Sequence, residues 1–365
     1  MVGRAGLSNR QRGAMSRITV ITYTARTVEG FVDRARGTVL VDPDQLSPAL
    51  GWELKPSGLC REDTCVPVAD PSALVVEGKV DLTAVAAALR RQIVVDTGIG
   101  VAAVSLPSEQ RDRALDGLRA PEFDLPDLDE NLRSSREWDG KKKLLVTFAS
   151  WCGCRYDLPG WQALDDELSA FDFSVIAVAM DQAAEDVVPY CDGITMPVLY
   201  DPQHILSELY AISNVPTVVW IDEEETIVRP NGYAFGTDLF REITGVESSP
   251  HLDQVRRWAR DGVVPISEAD AKLAVEDLSG DEVLARLHFR VAAEAHRQGN
   301  PDATRDHLAE AAELAPDDLT IWRAAMPLIG EDPFGPGFMA RYEEWQQQGG
   351  AYHGLPAVKS AEPTF

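Results

Sequence analysis

Five cysteines among 365 residues are the first candidates for chemistry. Cys152 and Cys154 form a C-x-C pair, Cys60 and Cys65 a C-x4-C pair, and Cys191 stands alone. The segment Thr147-Phe148-Ala149-Ser150-Trp151-Cys152-Gly153-Cys154-Arg155 follows an apolar run and precedes a helical pattern. That order puts the first sulfur at a helix N-terminus, where unpaired N–H groups and the helix dipole favour negative charge. Thiolate is the attacking form, and such surroundings lower a cysteine pKa from about 8.5 to roughly 3.5–7.5. A second cysteine two residues on can resolve the mixed disulfide made by the first. The plainer alternative is inert packing, because buried free cysteines are common. Two cysteines flanking one glycine at a strand–helix junction favour chemistry. Trp151 either shields the sulfurs and contacts substrate or is a core aromatic. Arg155 either supports the thiolate or is a solvated helix charge.

Cys60 and Cys65 are separated by Arg61-Glu62-Asp63-Thr64, which suits a turn that brings the sulfurs together. Three roles are open: a structural disulfide, an internal relay exchanging electrons with Cys152 and Cys154, or half of a metal site. Zinc wants two further ligands, and no His-x3-5-His pair is available. Cys191 is expected to close a helix. The six histidines are scattered and read as core or surface residues. Asp181 ends an apolar run near the same edge as the C-x-C pair and is a candidate proton relay.

The elements that must position these groups come next. Residues 18–24, 38–41, 73–76 and 93–95 read as strands, rich in Val, Ile and Thr and bounded by Gly, Pro or Asp. Residues 81–91 read as a helix capped by Asp81. A Pro- and Asp-rich connector covers 120–129 and stays extended. Residues 143–149 and 173–180 are apolar runs suited to strands buried on both faces, and 215–221 is a third. From Leu158 the pattern turns helical, and 181–190 is a second helix. This alternation predicts parallel strands covered on both faces. Beyond about 266 only helices remain, at 281–298, around Leu308, around Trp322 and around Tyr342. The expected organisation is a flexible tail (1–17), an N-terminal α/β domain (18–119), a redox domain (120–264), a helical domain (265–349) and a flexible tail (350–365).

The length asks for two or three domains, and 45% apolar with 25% charged residues suits folded soluble protein. No apolar run reaches the roughly 18 residues of a membrane span. The net charge of −25 argues against a nucleic-acid partner. The basic stretch before Met15 lacks a signal-peptide core, so the chain reads as cytoplasmic, with Met15 an alternative start.

On these residues the chain resembles the thioredoxin-like superfamily, specifically the redoxin and ResA/TlpA-like thiol–disulfide oxidoreductases, over residues 120–262. Ala120-Pro121-Glu122-Phe123-Asp124-Leu125-Pro126-Asp127 is similar to the family's opening strand, and residues 142–151 to its first core strand. Pro197-Val198-Leu199-Tyr200-Asp201 and Asn214-Val215-Pro216-Thr217 resemble its later signatures. The resemblance implies an α/β, thioredoxin-like centre, a kinked helix at Pro159, and a cis peptide before Pro216 beside the sulfurs. It implies that Cys152 attacks, that Cys154 resolves, that Pro216 presents backbone to substrate, and that no organic cofactor is needed. The usual Trp-Cys-x-x-Cys-Arg is here one residue short. A tighter ring makes a disulfide more oxidising. The peroxiredoxin pattern Pro-x-x-x-Thr-x-x-Cys is missing, with Leu145 and Ala149 at its positions. The pair of helices before Pro316, with Ala292, Gly299 and Ala311 at suitable offsets, resembles one tetratricopeptide unit.

The leading expectation is a thiol–disulfide oxidoreductase acting on protein or small-molecule disulfides or oxidised thiols, with an unknown external thiol reductant. One rival is a redox-sensing protein whose helical domain binds a partner. The other is a Cu(I) carrier clamped by C-x-C.

Overall fold

The computed structural model describes residues 15–24, 26–34 and 36–358. The expected N-terminal tail therefore lies almost wholly outside the described residues. The chain divides into two compact units, one built on residues 26–104 with the segment up to 22, the other on residues 105–365 with 23–25. Among the described residues no helix is long and apolar enough to cross a membrane.

The first unit opens with a meander of β1 (Ser16–Ile21), β2 (Thr27–Asp33) and β3 (Thr38–Val41), followed by helix α1 (Leu46–Leu50). Then come a small ribbon of β4 (Glu53–Lys55), β5 (Gly58–Arg61) and β6 (Thr64–Val66), the hairpin β7 (Val75–Val76) and β8 (Lys79–Asp81), and helix α2 (Leu82–Ala88). Strands β9 (Ile93–Asp96) and β10 (Val101–Val104) complete a seven-stranded sheet of order β7-β8-β3-β2-β1-β10-β9. Among the described residues of this sheet, only the β1–β10 pairing is parallel. Asp81 caps α2 by accepting from the Ala84 N–H at 2.9 Å, as expected. Most of the short strands escape sequence reading, because three or four residues carry too little periodicity.

The second unit begins at helix α3 (Ser108–Gly117), so the boundary falls after 104 and not after 119. The connector supplies β11 (Asp124–Pro126), which forms a hairpin with β12 (Leu132–Ser134) just beyond it. Strand β13 (Lys142–Phe148) leads through the cysteine turn to helix α4 (Leu158–Leu168), then β14 (Phe173–Ala179), helix α5 (Ala184–Val187) and β15 (Val198–Tyr200). Helix α6 (Ile205–Leu209), β16 (Thr217–Ile221) and β17 (Ile227–Tyr233) follow. The sheet order is β15-β14-β13-β16-β17. It is mixed: β13, β14 and β15 run parallel, β16 pairs antiparallel with β13, and β17 pairs antiparallel with β16. The expected 181–190 helix shrinks to α5 and one 3-10 turn.

Alternation along β13 explains how both faces are covered. Leu144, Val146 and Phe148 pack with Trp161 of α4, while Leu145 packs with Phe123, Leu206 and Ile212 on the other face. Helices α7 (Arg241–Thr244), α8 (Ser249–Asp261) and α9 (Glu268–Ala274) precede the helical region α10 (Gly280–Arg297), α11 (Pro301–Leu314), α12 (Leu319–Leu328) and α13 (Pro336–Gln347).

The helical region belongs to the same compact unit as the sheet, contrary to the separate domain expected over 265–349. The reason is buried charge. Arg286 of α10 faces Asp318 at 2.7 Å and donates to the Ile212 carbonyl at 3.0 Å. One turn on, Arg290 faces Glu208 at 2.7 Å and donates to the Gln203 carbonyl at 2.6 Å. All four side chains are buried, and a buried charge is tolerated only when paired. The expected loose C-terminal tail is also anchored where described. Leu355 bridges to Gly232 of β17, and His353 bonds Glu276 and Glu282.

Candidate active site

Strand β13 delivers its chain into a turn at one end of the sheet, and this turn carries Cys152 and Cys154. The helix does not begin at once, as the spacing predicted. A 3-10 turn over residues 153–157 intervenes before α4, with Cys152 as its N-cap and Pro159 in the first turn of α4. The two sulfurs are bonded, with Cα atoms 5.2 Å apart. Cys152 is 4% exposed and Cys154 1%. The Cys154 N–H donates to Cys152 Sγ at 3.3 Å, a contact that favours negative charge on that sulfur.

The glycine between the cysteines is demanded by its surroundings. A Cβ at position 153 would lie 2.6 Å from Phe240 Cζ, so the Phe240 ring packs directly on the peptide. Opposite the turn, the Val215–Pro216 peptide is cis, and the Val215 carbonyl oxygen lies 3.8 Å from Cys152 Sγ. Cys152, Cys154 and Pro216 thus share one groove of about 230 Å³.

Trp151 is buried in the core cluster on the α4 side of the sheet, in line with the core-aromatic alternative. Its carbonyl accepts from Arg323 Nη2 at 2.9 Å. Arg155 is half-buried, and its bonds and ring contacts go to neighbours other than the sulfurs, the Tyr156 hydroxyl at 3.1 Å among them. It bonds the Ser150 carbonyl and lies 4.7 Å from the Tyr156 ring, 4.8 Å from Tyr190 and 4.6 Å from Phe334.

Asp181 reaches the turn through residue 150, accepting from the Ser150 N–H at 2.9 Å and from its hydroxyl. Burial pushes its carboxyl up to about 6, against the opposing pull of the Ser150 bonds. Asp157 is raised to about 6 by burial as well and accepts from the Thr237 hydroxyl. Sequence reading missed Asp157, although it lies three residues beyond Cys154. It also missed Phe240, Arg323, Phe334 and Phe338, for which no local signal exists.

The remaining candidates lie elsewhere. Cys60 and Cys65 face each other across the β5–β6 hairpin and are bonded, with Cα atoms 4.1 Å apart. The Ser57 hydroxyl is 3.3 Å from Cys60 Sγ and 3.8 Å from Cys65 Sγ. Cys191 is a free thiol just past a 3-10 turn, and burial pushes it up to about 11. His204 and His251 are core residues held neutral, each pulled down to about 3 by burial. Among the described residues no group of three or more His, Cys, Asp or Glu could hold a metal ion.

The profile of the AhpC/TSA family matches residues 117–229. The thioredoxin-like protein YneN of Bacillus subtilis is 31% identical over 118 residues, which are 31% of this chain and 68% of YneN. The chain belongs to the thioredoxin-like AhpC/TSA family. This thioredoxin-like oxidoreductase is also 27% identical over 139 residues to the thiol-disulfide oxidoreductase ResA of Halalkalibacterium halodurans, covering 37% of the chain and 79% of ResA. Among solved structures, a thiol:disulfide interchange protein from Bacteroides sp. is 19% identical, with a TM-score of 0.33 over 40% of this chain and 93% of its own.

Proposed function

We propose that the protein exchanges electrons with disulfides or oxidised thiols through Cys152-Gly153-Cys154. The supporting observation is the bonded C-x-C pair opening onto the Pro216 groove, with the Cys154 N–H aimed at Cys152 Sγ. In the reducing direction, the Cys152 thiolate attacks one sulfur of the substrate disulfide, and the other sulfur leaves as thiolate. Cys154, deprotonated, then attacks Cys152 Sγ, closes the C-x-C disulfide and expels the second substrate thiolate. Two electrons pass to the substrate, and an external dithiol returns them. Pro216 presents backbone to the substrate, and Trp151 positions the turn through its carbonyl.

The short ring favours an oxidising couple, so isomerisation or oxidation belongs to this reading beside reduction. A cytoplasmic location belongs to it too, tested by cell fractionation; for Cys60 and Cys65 a structural staple is the leading reading and the relay its alternative. The α10–α11 hairpin is read as one tetratricopeptide-like unit on its turn at Gly299 and its buried Ala292 and Ala311.

The deciding experiment is a redox titration of wild type, Cys152→Ser and Cys154→Ser with mass mapping of thiols. A reversible Cys152–Cys154 disulfide, with Cys154→Ser trapping substrate on Cys152, is the expected result. Two single variants that behave alike would remove the mechanism. A redox-sensing reading is favoured by one contact, the Arg323 bond that links the Trp151 carbonyl to the loop before α13 through Pro333. It requires partner binding to change with the oxidation state of the pair.

A further inference from the structure

The groove beside the cysteines has a second wall that the thioredoxin-like sheet does not provide. Pro216 and Phe240 line it, and so do Phe334 and Phe338, which flank the start of α13. Its rim leaves apolar side chains in solvent, with Ile243 77% exposed and Met339 42% exposed. Exposed apolar surface gathered at one groove marks a binding site and not a random surface feature.

Of two guanidinium groups in this aromatic setting, Arg323 lines the groove and Arg155 reaches the Phe334 ring without lining the groove. Arg323 lies 4.4 Å from the Phe338 ring and 5.7 Å from Phe334, and Arg155 lies 4.6 Å from Phe334 on its own account. Among the described residues neither forms a salt bridge, and the Nε of each is buried without a hydrogen-bond partner. Their Nη atoms are occupied mainly by neutral carbonyls, those of Ser150, Trp151 and Pro333. Burial draws Arg323 down to about 10, which leaves it charged at neutral pH. A chain of net charge −25 thus keeps Arg323 without a carboxylate partner beside its redox pair, whereas Arg155 already feels the Asp181 carboxylate. Charge complementarity asks for a carboxylate.

We propose that this groove selects peptide disulfides whose cysteine is flanked by an aromatic or large aliphatic residue and an acidic residue. The apolar side chain fills the slot between Phe240 and Phe338, and the carboxylate meets Arg323. The occupant is a peptide because the groove's lining runs from the cysteines out to the exposed side chains of Ile243 and Met339, more apolar wall than a small disulfide covers. The inference rests on Cys152 being the attacking sulfur. The chemistry is the exchange already described, with dithiothreitol-reduced protein as electron donor for one turnover.

The test uses the full chain, reduced, desalted and mixed with homodisulfides of three acetylated, amidated tetrapeptides: Asp-Phe-Cys-Leu, Lys-Phe-Cys-Leu and Asp-Ser-Cys-Ser. The single-turnover rate constant is read by mass mapping of the C-x-C disulfide. We expect the first peptide to exceed each of the others at least tenfold. In Arg323→Gln the acid-over-lysine ratio falls toward one, and in Phe338→Ala the ratio of Asp-Phe-Cys-Leu to Asp-Ser-Cys-Ser falls in the same way. Ratios are compared within each variant, so a general loss of rate cancels. Arg323→Lys, which keeps the cation, retains the acid preference if Arg323→Gln folds poorly. A wild-type ratio near one overturns the proposal, as does a ratio that survives Arg323→Gln. Oxidation of the pair by 2-hydroxyethyl disulfide but by none of the peptides also overturns it, leaving the proposed function intact. Absence of any C-x-C disulfide removes both.

Discussion

Arg290 and Glu208 meet at 2.7 Å with essentially no solvent access, joining α10 to the segment that leads into the cis peptide. Glu208 spends its second oxygen on the Leu106 N–H at 2.9 Å, so one carboxylate holds three parts of the unit together. Removing one partner of such a pair strands the other charge. Arg290→Met is expected to cost about 3–5 kcal/mol in urea unfolding. The double change Arg290→Met with Glu208→Gln should recover part of that loss, because the stranded charge is gone.

Asp181 supplies a pH-dependent expectation. Its carboxyl titrates near 6 in the folded protein against an ordinary value near 3.8, because burial disfavours the anion. The folded state therefore holds this proton to higher pH than the unfolded state, and ionising Asp181 subtracts stability as pH rises from about 4 to 6. Asp181→Asn removes that cost. Relative to wild type it should gain on the order of 1–3 kcal/mol at pH 8 and little at pH 4. Urea midpoints at the two pH values check the sign.

Gly153→Ala tests the contact between the turn and Phe240. The added Cβ would fall 2.6 Å from the ring, which must swing away. Overpacking of this kind costs about 1–3 kcal/mol, and the groove changes shape with it. A thermal melt and the disulfide-exchange rate should both fall. Phe240→Leu in the same chain should restore most of the melt.

Lengthening the motif tests the ring argument. Inserting a proline after Gly153 gives C-x-x-C and relaxes the ring. The potential, measured against glutathione, should become more reducing by roughly 30–100 mV. No change would show that ring size does not control the couple.

Staple and relay make opposite demands on Cys60 and Cys65. Closing so short a loop is worth about 2 kcal/mol, which the first unit should lose in Cys60→Ser with Cys65→Ser, read by hydrogen exchange. The direct cross-strand pairing of the two residues leads us to expect this loss with unchanged reduction of the C-x-C pair. A tenfold slower reduction would instead establish the relay.

The legible parts of this protein were those written in consecutive residues. Apolar runs announced β13 and β14, and the Trp151-Cys152-Gly153-Cys154 string announced the turn between β13 and α4. The groove was not legible, because Arg323 and Phe338 arrive more than 160 residues after the cysteines and nothing local marks them. Arg286 and Arg290 were hidden for a different reason. One turn apart on α10, they carry no local sign of a partner, and only the fold reveals that Asp318 and Glu208 wait opposite. The antiparallel placement of β16 was equally invisible, since a buried apolar run does not state its direction.

The buried arginines also limit how the molecule can be divided. Cutting the chain after residue 264 would leave Glu208 facing an empty slot and the Gln203 and Ile212 carbonyls without their donors, all in the segment that carries the chain toward Pro216. The portion that aligns with its shorter relatives is therefore not the portion that can be excised. The smallest piece expected to stand alone keeps the sheet and α10 through α12 together, and grafting only the cysteine-bearing half onto another scaffold would transplant an unfinished core.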